Sequence, residues 1–80
     1  MRKRNGHNFE VLSERTVGDR QVRVTVQEFQ FDKILKREVP VGAPKIGFGG
    51  FKKAKDFDYG IAFQAAFENA ADGHEEVIAI

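Results

Sequence analysis

Between Gln21 and Phe31 the chain alternates, with Val22, Val24 and Val26 on one side and Arg23 and Thr25 on the other. A period of two is the pattern of a half-buried β-strand. The parity slips at Gln27–Glu28, because Phe29 and Phe31 fall on odd positions. A bulge there returns both rings to the core face; the other arrangement is a sheet that is apolar on both faces at that end. Upstream, "NFEVLSERTV" (8–17) reads as a strand with imperfect alternation, closed by the turn signal "GDR" (18–20). Downstream, "DKILKREVPV" (32–41) reads as a third strand in which Leu35, Val39 and Val41 share a parity that Arg37 interrupts. Pro40 lacks a backbone donor and places that strand at an edge or at its own end. "GAPKIGFGG" (42–50) reads as a loop punctuated by Gly and Pro.

The period then changes. Tyr59, Ala62, Phe63, Ala66, Phe67 and Ala70 recur at helical spacing, with Gln64, Glu68 and Asn69 opposite. This predicts an amphipathic helix over roughly 56–71, with Asp56 or Asp58 as N-cap and Gly73 at the left-handed position after its last turn. "EEVIAI" (75–80) is short, apolar and β-prone. The order β-β-β-α-β predicts an α+β fold: a three- to four-stranded antiparallel sheet with one helix packed on one face. Residues 1–80 form a single small domain, with 1–6 read as a flexible basic arm. If Val77, Ile78 and Ile80 form a last strand, the sheet ends in an apolar edge, which invites a homodimer.

Composition bounds the chemistry. The 80 residues are 41% hydrophobic and 31% charged, with eight Phe, which fits a globular chain. There is no cysteine, so disulfides and thiolate metal sites are excluded. No apolar run has the length of a membrane span and no apolar stretch follows the basic start, so neither a membrane segment nor a signal peptide is expected, and the cytoplasm is the default location. The net charge of +1 hides a division. Residues 1–55 hold all thirteen Lys and Arg against six acids, a balance of +7. Residues 56–80 hold six acids and no Lys or Arg, a balance of −6. Either charged partners or mutual attraction of the two halves accounts for such a split.

The stretch "KIGFGGFKKAKDFDYG" (45–60) concentrates the candidate chemistry. Gly42 and Gly47 have P-loop spacing, but Phe48 and Gly49 stand where the lysine and the hydroxyl belong. A dinucleotide fingerprint counted from Gly47 meets Lys52 instead of its last glycine. Nucleotide binding by this loop is therefore not expected. Lys45, Lys52, Lys53 and Lys55 with Phe48 and Phe51 suit nucleic acid better, as cations hold phosphates and rings stack on bases. Arg2, Lys3 and Arg4 add a basic arm. "KIGFGGF" resembles the aromatic strand motif of RNA-recognition domains, apart from a doubled glycine and a shifted aromatic spacing. "GFGGFKKAK" before an Ala-rich helix is similar in pattern to the helix start of double-stranded-RNA-binding domains, and to a junction in the three-strand-plus-helix arm-binding domains of phage-type integrases. The competing reading makes Phe48 and Phe51 core plugs and the lysines a solvated rim.

Catalysis lacks a constellation. Ser13 is the only serine, Thr16 and Thr25 lie in expected strands, and His7 and His74 sit near opposite ends of the chain. Neither forms a metal-binding helical pair, and capping accounts for Asp56 and Asp58. The sequence therefore points to a non-enzymatic binding module, without cofactor or metal, whose basic side contacts nucleic acid with low sequence specificity. The alternative is a phage- or mobile-element-type accessory protein that docks on a host protein to block or recruit it, through Glu68, Asp72, Glu75 and Glu76 and the apolar segment Val77, Ile78 and Ile80.

Overall fold

The structure, a computed structural model, describes residues 1–74 and the backbone of Val77–Ala79. Five strands and one helix follow in the order β1 (Arg2–Arg4), β2 (His7–Val17), β3 (Gln21–Asp32), β4 (Arg37–Gly50), α1 (Tyr59–Asp72) and β5 (Val77–Ala79). A short 3-10 turn, Ala54–Asp56, precedes the helix. The strands lie in the order β1-β2-β3-β4-β5. The first four are antiparallel, and β5 runs parallel to β4, with Val77 beside Phe48. The fold is α+β, a four-stranded antiparallel sheet with one helix on one face, extended at its β4 edge by the parallel last strand of the same chain. Glu75, Glu76 and Ile80 lie outside the described residues, as do the side chains of Val77 and Ile78.

The core follows the two periodicities. Val22, Val24 and Val26 are fully buried beneath Ala62, Ala66 and Ala70, with Phe9, Phe63 and Phe67 closing the β2 side. Phe9 and Phe67 meet edge to face at 6.1 Å. Asp58 caps the helix by accepting from the Ile61 amide at 3.1 Å. Gly73, at φ 75°, ends it: the Gly73 amide donates to Ala70 O and the His74 amide to Asn69 O.

Four expectations need correction. The glycine-rich stretch 42–50 is strand and not loop, because its glycines are packing positions. A Cβ on Gly47 would lie 2.3 Å from the Ala66 carbonyl oxygen and the Ala70 nitrogen. One on Gly49 would lie 2.3 Å from the Ala62 carbonyl oxygen. The alanine ridge of α1 thus rests directly on the β4 backbone, which only glycine permits. Asn69, 3% exposed, fixes the same contact by donating to the Phe48 carbonyl at 2.7 Å.

Second, residues 33–36 turn instead of extending. The Asp32 carboxylate accepts from the Ile34 and Leu35 amides, and Lys36 takes φ 55°. Third, the register between β3 and β4 does shift at Val26–Glu28, but the extra residues belong to β4, between Val41 and Lys45. The Gln27 side chain fills the gap, its Nε2 donating to the Val41 and Gly42 carbonyls. Phe31 is consequently 53% exposed on a two-stranded arm and does not return to the core. The arm lengthens the molecule to 50 × 18 × 16 Å.

Fourth, Arg2–Arg4 is not a free arm. It pairs with β2, Arg2 opposite Phe9 and Arg4 opposite His7, and the Arg2 guanidinium lies 4.9 Å from the Phe63 ring centre and 5.6 Å from that of Phe67.

Candidate nucleic-acid interface

The structure divides the expected cationic residues into two groups at the two ends of α1, a helix of 14 residues and so about 20 Å long. Beside its middle and C-terminal half lie Lys45 and the strand that carries Arg2, Lys3 and Arg4. Arg2 is engaged with the aromatic core, as above. Arg4 forks onto Asp72, through Nε at 3.1 Å and Nη2 at 2.9 Å, and approaches Glu68 at 3.6 Å. That hydrogen bond, together with the guanidinium charge, holds the Asp72 carboxyl below its usual range. Lys45 stands 3.7 Å from Glu28, which His7 also meets at 3.1 Å. Glu68 and Asp72, proposed from sequence as a surface for a basic partner, are thus engaged by Arg4 of the same chain, with Gln64 also donating to Glu68. At this end Arg4 and Lys45 are neutralised by carboxylates of the same chain, while Arg2, held over two rings, and Lys3 have no ion pair among the described residues.

Lys52, Lys53 and Lys55 lie before the helix, exposed and without ion pairs among the described residues. Phe51, expected among them as a stacking ring, packs instead on Phe57 at 6.1 Å against the core. Its amide donates to the Arg20 carbonyl, and the Arg20 guanidinium donates to the Lys52 carbonyl. This joins the β2–β3 turn to the lysine segment, so Arg20 adds to the same basic end.

Phe48 faces elsewhere. Gly47 and Gly49 sit against the helix, so alternation turns Phe48 to the opposite face of the sheet. Register then assigns its neighbours: Phe48 stands opposite Arg23 on β3, and Arg23 stands opposite Arg15 on β2. The parallel row beside it is Ser13, Thr25 and Ile46; the row nearest the turn is Val17, Gln21 and Gly50. No described element covers this face. Arg15 is exposed, Arg23 and Phe48 are half-buried, and Ile46 is 41% exposed. Directly opposed like charges weaken a sheet. Neither arginine has a carboxylate within ion-pair distance among the described residues.

Of the nine residues expected to bind nucleic acid, the structure groups Lys52, Lys53 and Lys55 at one end and turns Phe48 onto the open face nearby. It commits Arg4 and Lys45 to carboxylates, Arg2 to two rings and Phe51 to the core. Sequence reasoning missed Arg15, Arg20 and Arg23. The signal was present for the pair: with "GDR" as the turn and Val17 opposite Gln21, antiparallel counting sets Arg15 opposite Arg23.

Among the described residues no group of three or more His, Cys, Asp or Glu could hold a metal ion, and no helix is long and apolar enough to cross a membrane. The chain matches no protein family, no curated protein and no solved structure.

Proposed function

We propose that the protein is a non-enzymatic binding module that holds nucleic acid with low sequence specificity on the helix-free face of its sheet and the adjoining basic end. The observation that carries this reading is the Arg15–Arg23 pair. Two arginines stand directly opposite each other on neighbouring strands of an uncovered face, without an acid to balance them among the described residues. Such an arrangement costs stability in the free protein and becomes favourable when a phosphate enters between them. Arg20, Lys52, Lys53 and Lys55 extend the same charge around the turn, which suits a polyanion better than a single anion. The charged residues in these rows are both arginines, and together with one aromatic ring they position a backbone more than they read bases.

Fluorescence anisotropy of a labelled oligonucleotide across a salt series tests the reading. With four to six phosphates neutralised, log K should fall against log salt with a slope of about −3 to −5. The Lys52→Glu, Lys53→Glu double variant should bind more weakly and with a shallower slope. Absence of wild-type binding at low salt would remove the proposal.

One observation favours a second reading, docking on another protein. The turn of the β3–β4 arm exposes Ile34 at 91% and Leu35 at 54%, beside Phe31. A stoichiometric, nuclease-resistant complex with a protein, lost in Ile34→Asp, would support it.

A further inference from the structure

We infer that the strand held on this face is single, with one nucleotide lying across the sheet, its phosphate between Arg15 and Arg23 and its base on Phe48; the inference rests on the nucleic-acid reading above. Neighbouring strands stand about 4.8 Å apart, so Arg15, Arg23 and Phe48 step across the sheet over about 10 Å in a straight row. A phosphate and its own base are separated by one sugar, a span of the same order. The row therefore offers the two chemistries of a nucleotide in the correct sequence, cation then ring.

The ring is also held ready. Gly47 and Gly49 press β4 onto α1, and Asn69 binds the Phe48 carbonyl itself, so the backbone of this residue is clamped from the helix side. A clamped platform binds a base without first being ordered. Ile46, two residues along on the same face, continues the apolar strip for a neighbouring base. A duplex uses this surface poorly. Its base faces are stacked on one another, and Phe48 could reach one only after unpairing and unstacking, whereas an unpaired base presents its face freely.

The chain contains no tryptophan, so Phe48→Trp places a single indole at the platform. The variant is titrated with oligothymidylate, with oligouridylate and with a DNA hairpin duplex of equal length, folding being checked by circular dichroism. The expected result is tighter binding of both single strands than of the duplex, with quenching of the indole by the stacked base. Phe48→Ala should weaken single-strand binding about tenfold, the size of one lost base–ring stack, and leave the salt slope unchanged because no charge is removed. Oligothymidylate and oligouridylate separate DNA from RNA as the source of the strand. Duplex binding equal to or tighter than single-strand binding, or binding without quenching, overturns this inference and leaves the nucleic-acid reading standing. Failure of all three probes to bind removes both.

Discussion

Gly49→Ala is expected to destabilise the fold by about 3 kcal/mol or more, toward the upper end of what overpacking one methyl group costs. The added carbon would meet the Ala62 carbonyl at 2.3 Å, the Ala66 nitrogen at 2.6 Å and the Ala65 Cβ at 2.8 Å. The first two are helix backbone, so no side-chain rotation relieves the clash. The helix must lift from the sheet, which opens the valine core beneath it. An 80-residue domain has a total stability of only about 4–12 kcal/mol, so this single methyl removes a large part of it. Thermal melting should show a drop of more than about 12 °C. Gly60→Ala is the control, the same chemical change in the first turn of α1. There the nearest atom is the Asp58 carboxylate at 3.4 Å, and helix propensity favours alanine, so a gain of up to about 1 kcal/mol is expected. Equal effects at the two positions would show that close approach of helix to sheet does not determine why β4 contains glycine.

Arg15→Glu should separate stability from binding. It replaces one of two opposed cations with an acid, so the introduced carboxylate and Arg23 become a favourable cross-strand pair, and the protein should gain about 0.2–1 kcal/mol. Binding of an oligonucleotide at low salt should fall at least tenfold, because one phosphate contact is lost and a repulsive charge takes its place. A variant that is more stable and binds worse is the signature of a residue retained for its ligand. Denaturant unfolding and anisotropy on the same sample provide both readings. Lower stability together with unchanged binding would mean that Arg15 serves the sheet through its aliphatic stem.

The alternation of Val22, Val24 and Val26 and the helical spacing of Tyr59 to Ala70 made the sheet and its covering helix legible, because each period encodes a buried face directly. Gly73 and Asp58 were legible as caps for the same local reason. The stretch 42–50 was not. Glycine and proline are turn signals in isolation, and only the approach of an alanine ridge from twenty residues downstream explains why Gly47 and Gly49 occupy a strand. Pro40 also lies within β4, opposite Phe29, where β5 does not extend along the strand's other side. Arg2–Arg4 pairs with β2 through the Asn5–Gly6 turn, a local hairpin signal, while the Phe63 and Phe67 rings and the Asp72 carboxylate that also hold it are some sixty residues away in sequence and were not legible. The charge division between the two halves was visible, and part of it is mutual neutralisation through Arg4. What the local pattern hid was which cations remain unpaired. Counting back from the turn sets Arg15 opposite Arg23, but only the fold shows that neither has a carboxylate beside it among the described residues.

The central claim is that ligand is held on the sheet face away from the helix. An amide correlation spectrum of the nitrogen-15-labelled protein, recorded during titration with a short oligonucleotide at low salt, tests it residue by residue. The account predicts the largest shifts at Ser13, Arg15, Arg23, Thr25, Ile46 and Phe48, extending to Arg20 and Lys52, with Gln64 and Glu68 on the outer side of α1 unmoved. Shifts concentrated on α1 and β1 with the Arg15–Arg23–Phe48 row silent would contradict it.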